Sequence, residues 1–183
     1  VDGSHKMLAS IGGNSTKELD FGVFYLNHNI KATARDIVID GDNSEWKNTD
    51  DALFVGSKSQ AQATVRCSSD PDNVYFLVEV HDKVLNASDK VSIFLSSAKD
   101  SKKGNNSVKL EVGPTGLNSS CIFDTNWKIK DMEITAVSAI DGTGDNNKDT
   151  DNGYLCEIGI PKKSLKGLSD GKLIVNISLF DTA

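Results

Sequence analysis

Apolar and polar positions alternate with a period of two along most of this chain. In Ala61-Gln62-Ala63-Thr64-Val65-Arg66-Cys67 the Ala, Ala, Val and Cys side chains fall on one face, as they do in a strand with one side buried. Ser107-Val108-Lys109-Leu110-Glu111-Val112 repeats the pattern, with Val, Leu and Val inward and Lys and Glu outward. Val91 through Leu95 continues it, and Leu173, Val175, Ile177 and Leu179 form one face of a last long strand. Val74-Tyr75-Phe76-Leu77-Val78-Glu79-Val80 is apolar on both faces for its first half, as a central strand covered on both sides would be. Clusters of Gly, Asn, Asp and Ser separate the runs and supply the turns. Helical periodicity is nearly absent; only Lys162 to Leu168, after Pro161, could make a single turn. Many short strands with little helix predict an all-β fold, an antiparallel β-sandwich of jelly-roll type built from two packed sheets.

With 183 residues the chain can enclose one full core. Val1 to about Ser10, with Gly3-Ser4-His5, reads like a cloning scar and is set apart from the fold. Residues 11–35 are an N-terminal extension or an added strand, the latter through Asp20-Phe21-Gly22-Val23-Phe24-Tyr25-Leu26. The acidic balance, 26 Asp and Glu against 20 Lys and Arg, and the lack of a basic cluster argue against a nucleic-acid partner. No run approaches the roughly 20 apolar residues that span a bilayer, so a soluble protein without membrane insertion is expected. Three cysteines, Cys67, Cys121 and Cys156, allow at most one disulfide. Cys67 and Cys156 sit on the apolar phase of their strands, where thiols act as small buried hydrophobes.

The catalytic inventory is poor. Apart from His5, only His28 and His81 are present, and no nucleophile elbow, His-Glu-x-x-His pair or phosphate-binding Gly-rich loop occurs. The chain is therefore expected not to be an enzyme. The richest chemistry lies in Asp141-Gly142-Thr143-Gly144-Asp145-Asn146-Asn147-Lys148-Asp149-Thr150-Asp151. Calcium takes six to eight oxygen ligands, and Asp141, Asp145, Asn147, Asp149 and Asp151 could supply several of them. The other reading is a solvated hairpin rich in turn formers. Of the two tryptophans, Trp127 follows Phe123-Asp124-Thr125-Asn126. Its ring could stack on the C–H face of a sugar while Asp124 and Asn126 reach the hydroxyls, or it could cap the edge of the sandwich.

Two segments carry a family resemblance. They are Ile37-Val38-Ile39-Asp40-Gly41-Asp42-Asn43-Ser44-Glu45-Trp46 and Asp149-Thr150-Asp151-Asn152-Gly153-Tyr154-Leu155-Cys156-Glu157-Ile158-Gly159-Ile160-Pro161. Each is an apolar-alternating strand joined to an acidic, Gly/Asn-rich turn. In this order they resemble the family 9 carbohydrate-binding modules and the wider DOMON-like sandwich group, over roughly Asp36 to Asp181. The resemblance implies a carbohydrate-binding-module-like sandwich over residues 36–183, with Trp46 in the core. It also implies a non-catalytic, extracellular module of a secreted multidomain protein, an accessory to a glycoside hydrolase. Its partners would be a carbohydrate ligand and the catalytic or anchoring domains of the parent chain.

The family's sugar clamp is missing from this sequence. Where the resembling modules place a tryptophan before Asp-x-Val-Glu-x-Phe, this chain reads Val84-Leu85-Asn86-Ala87-Ser88-Asp89-Lys90-Val91-Ser92-Ile93-Phe94, with Ser92 at the glutamate position. A second clamp tryptophan after the last strand has no counterpart either. The segment around Asp20 to Leu26 is expected to stand in for the absent final strand. The alternative function is a structural or protein-docking module of the same fold that binds no sugar. A third reading, haem ligation as in some DOMON-like relatives, would have to draw on His81, His28 and Met132.

Overall fold

The computed structural model describes residues 3–11, 15–23, 37–48, 52–57, 59–97, 106–118, 127–143, 149–168 and 173–182, the first two stretches as backbone only. Strands β1 (Gly3–Ile11) and β2 (Ser15–Val23) pair antiparallel as a sheet of their own. Nine further strands build the sandwich: β3 (Ala52–Gly56), β4 (Ala61–Ser69), β5 (Asn73–Asp82), β6 (Lys90–Ser97), β7 (Ser107–Gly113), β8 (Gly116–Asn118), β9 (Thr135–Asp141), β10 (Gly153–Pro161) and β11 (Leu173–Phe180). They form a five-stranded sheet in the order β3-β4-β5-β10-β9 and a four-stranded sheet in the order β11-β6-β7-β8, every pairing antiparallel. The sheets meet along two seams, β11 beside β3 and β8 beside β9. Among the described residues helix is limited to three 3-10 turns, one of them Lys162–Ser164 directly after Pro161. The expected antiparallel β-sandwich is therefore the observed fold.

The alternation in the sequence sets which side chains fill the space between the sheets. Ala63, Val65, Cys67, Phe76, Val78, Cys156, Ile158 and Ile160 come from the larger sheet and Val91, Ile93, Leu95, Val108, Leu110 and Val112 from the smaller. Leu173, Val175, Ile177 and Leu179 close this core from β11. Each large side chain buried here contributes about 2 kcal/mol through the water it leaves. The Tyr154 hydroxyl donates to the Val112 carbonyl at 3.2 Å, a polar tie between the two sheets.

β5 is apolar on both faces because both faces are covered. Phe76 and Val78 point into the main core, while Tyr75 and Leu77 point the other way. There they meet a second layer made by Ile37 and Trp46, with Ile39 and Leu155 packed at its margin. The segment that carries Trp46 is folded by its own Asp residues. Asp40 Oδ1 accepts from Asp42 N and Asp42 Oδ1 from Ser44 N, as Asx turns do, and a 3-10 turn follows over Ser44–Asn48.

Glu157 joins this layer to the sheet. It is fully buried, yet each carboxylate oxygen is used. Oε1 accepts from the Trp46 indole N–H at 2.7 Å, and Oε2 from the backbone N–H groups of Asp40 and Gly41 at 3.0 and 2.7 Å. A buried charge survives only when it is hydrogen-bonded in this way. The two segments singled out in the sequence are thus held together by one carboxylate, and Trp46 occupies the interior position expected of it.

The segment expected to replace a final strand does something else. Residues 20–23 do form a strand, but within β2, whose ladder runs along β1 and joins neither sandwich sheet; residues 24–26 lie outside the described residues.

Candidate functional site

Trp127 does not offer a stacking face. Its indole is 1% exposed and packs in the main core, and its N–H donates to the Lys166 carbonyl at 2.7 Å. The sugar-platform expectation is corrected accordingly: the ring closes the interior, the capping role weighed beside it. Its proposed companions Asp124 and Asn126 lie outside the described residues.

In the acidic loop the described carboxylates accept hydrogen bonds from backbone and side-chain groups around them. Asp151, 2% exposed, accepts from Leu85 N through Oδ2 at 2.9 Å and from Thr143 N through Oδ1 at 2.7 Å. Asp149 accepts from the Thr143 hydroxyl, and Asp141 from the Asn152 side-chain amide. This is the work of turn-forming residues. Asp145 and Asn147 lie outside the described residues.

A different carboxylate group is drawn together by the fold. Asp82, Asp89 and Asp181 each place an oxygen within 4.8 Å of the others, the first two buried and the third half-buried. Burial pushes the Asp82 and Asp181 carboxyls up, and the neighbouring acids add to the effect. Sequence patterning could not find this trio, because its members come from a strand end, a loop and the C-terminal tail. Of the residues considered for haem, Met132 is buried in the core, His81 is exposed on β5 and His28 lies outside the described residues. Cys67 and Cys156 are buried thiols, the latter shifted upward by burial; Cys121 lies outside the described residues.

The outer face of the four-stranded sheet sets exposed Phe180 and half-buried Phe94 among polar side chains, whereas Phe54, 63% exposed, stands apart on β3 of the larger sheet. Register places Asn176, Phe94 and Lys109 in one row, Ser178, Ser92, Glu111 and Asn118 in the next, and Phe180 beside Lys90 in a third. Phe180 is 51% exposed and Ile174, at the far end of β11, 43%. The Lys90 ammonium stands 5.7 Å from the centre of the Phe180 ring, and that of Lys109 5.9 Å from Phe94, both within cation–π range. Between them lies Glu111, whose Oε1 is 2.6 Å from Lys109 Nζ and 3.5 Å from Lys90 Nζ. The face carries two phenyl rings together with hydroxyl and amide groups. The signal for it was present in the alternation: assigning Leu173, Val175, Ile177 and Leu179 inward leaves Ile174, Asn176, Ser178 and Phe180 outward.

The hydrogen bond from Lys109, the largest effect, acts with the charges of both lysines to hold the Glu111 carboxyl below its usual range against the opposing effect of burial. A lowered folded value means that ionised Glu111 stabilises the protein above the ordinary carboxylate range and ceases to do so as the pH falls through the folded value. Glu111→Gln is expected to cost about 1–2 kcal/mol at pH 7. The gap to the parent protein should narrow as the pH falls through the carboxylate range and close once Glu111 is protonated in the folded state, as read from urea midpoints at pH 7 and at stepwise lower pH. A gap that persists in acid would mean the ion pairs are not its source.

With this geometry in view, residues 38–182 match the family described as carbohydrate family 9 binding domain-like. No curated protein matches the chain. Among solved structures it is similar to a carbohydrate binding module family 9 from Caldicellulosiruptor kristjanssonii in complex with cellotriose. Identity is 20%, the TM-score 0.52, and the match covers 72% of this chain and 66% of that one. A family 9 module from the same organism in complex with glucose is similar at 19% identity and a TM-score of 0.47, covering 71% and 66% of the two chains. At such identities the likeness is one of fold, and this chain spans about two thirds of the structures it resembles.

Proposed function

The chain belongs to the carbohydrate family 9 binding domain-like family, and from that premise we propose that it is a non-catalytic carbohydrate-binding module of a secreted, multidomain glycan-active protein. Its sugar platform is the outer face of the four-stranded sheet. The observation that carries this reading is the presence of exposed Phe180 and half-buried Phe94 on one sheet face, with Ser178, Asn118 and Asn176 exposed beside them. Pyranose rings expose patches of C–H that stack on aromatic faces, and their hydroxyls need such polar neighbours. Where the resembling modules place a tryptophan before the strand that carries Phe94, this chain has none, and an open platform takes its place, so binding is shallow and weak. The expected Kd lies in the region of ~10–1000 μM, because few contacts offset the cost of ordering the ligand.

Isothermal titration with a panel of short oligosaccharides, cellotriose among them, tests the proposal. Phe180→Ala and Phe94→Ala should each weaken binding about tenfold with little change in the unfolding midpoint. Folded protein that binds no glycan would transfer the module to the structural or docking role. Calcium stabilisation belongs to the same proposal. The all-oxygen donor set of Asp82, Asp89 and Asp181 suits a hard cation, with backbone carbonyls and water completing the shell. Millimolar calcium should then raise the unfolding temperature over that in EDTA, and Asp181→Asn should reduce the rise. An identical melt in both buffers removes calcium from the reading.

A further inference from the structure

Glu111 serves two lysines unequally. It gives Oε1 to Lys109 at 2.6 Å, while Lys90 reaches the same oxygen only at 3.5 Å, beyond an ordinary N–H···O bond. The Lys90 side chain is 42% exposed, and its ammonium is held 5.7 Å from the centre of the exposed Phe180 ring. The remaining polar side chains of these rows, Ser92, Ser178, Asn118 and Asn176, are neutral. Among the described residues of these rows Glu111 is the one carboxylate, and it lies between the two ammonium groups; the chain as a whole carries a net charge of −6. Asp89 and Asp181, which adjoin Lys90 and Phe180 in sequence, converge instead on buried Asp82.

We propose that Lys90 and Phe180 form a subsite for an acidic saccharide. The sugar ring lies against the exposed part of the Phe180 ring that Lys90 leaves uncovered, and its anionic group, a uronate carboxylate or a sulfate ester, accepts a charge-assisted hydrogen bond from the Lys90 ammonium. The inference rests on the outer face being the sugar platform and adds the class of sugar it selects. A neutral glycan would leave the Lys90 charge against its own hydroxyls and gain less. The overall negative charge of the protein gives no long-range attraction for such a ligand, so selection is local and sensitive to salt.

The test is calorimetric titration, at fixed calcium concentration, with trigalacturonic acid, its carboxyl-reduced neutral counterpart and a sulfated galactotriose. The parent protein should bind at least one of the acidic sugars roughly tenfold or more tightly than the neutral one, and whichever of the two it prefers identifies the anion. That preference should shrink as sodium chloride is raised from about 50 to about 500 mM. It should vanish in Lys90→Gln and persist in Lys90→Arg, with unfolding midpoints recorded for both variants to show that they are folded. Equal affinity for acidic and neutral sugars, or a preference untouched in Lys90→Gln, overturns the acidic subsite and leaves the sugar platform standing. Folded protein that binds none of the three probes, nor cellotriose, overturns both.

Discussion

Replacing Glu157 with alanine is expected to lower the stability of the domain by about 4 kcal/mol. The carboxylate is fully buried and accepts from three donors, the Trp46 indole and the backbone amides of Asp40 and Gly41. Truncation removes the acceptor that all three donors share, at about 1–3 kcal/mol for each buried hydrogen bond left unmade, partly relieved if water enters. Glu157→Gln keeps the shape but turns an amide NH₂ against donors on one side, and should cost about 2 kcal/mol. Urea denaturation followed by circular dichroism gives both values. A loss under 1 kcal/mol in the alanine variant would show that the two segments hold together without the carboxylate.

Gly153→Ala should be at least as damaging, for a steric reason. Gly153 has φ +134°, and a Cβ there would stand 1.8 Å from the Val80 carbonyl oxygen and 2.9 Å from its carbon. The clash is with backbone, and β10 cannot retreat because β5 and β9 flank it. Strained backbone costs on the order of 1–3 kcal/mol before any displacement, so a loss above about 4 kcal/mol, or failure to fold at 37 °C, is expected. Gly159→Ala supplies the contrast within the same strand. There a Cβ would meet only Ile39 Cγ1 at 3.4 Å and Tyr75 ring carbons at 3.6 Å, and the change should stay within about 1 kcal/mol. Similar unfolding midpoints for the two variants would refute the close approach at Gly153.

These residues show which parts of the molecule the sequence made legible. The alternation assigned the inward sides of β4, β7 and β11 because a two-residue period has only two choices of face. The doubly apolar run in β5 signalled cover on both sides, although only the fold reveals that Ile37 and Trp46 provide it. Trp127 misled because its neighbours in sequence are polar, whereas burial depends on neighbours in space. The Asp82, Asp89 and Asp181 trio escaped notice for the same reason, since no local pattern joins three such distant positions. Phe94 and Phe180 were legible as the outward phase of strands read for their inward one.

The burial of both indoles has a practical corollary for spectroscopy. Trp46 and Trp127 are each 1% exposed and belong to different layers, one outside the larger sheet and the other between the sheets. Their emission is therefore a gauge of unfolding, and variants retaining a single tryptophan would time the release of each layer separately. Phe94 and Phe180, on the remaining surface, fluoresce too weakly to compete. A ligand settling there would leave tryptophan emission nearly unchanged, so a flat fluorescence titration is the signature of an intact domain rather than of an inert one.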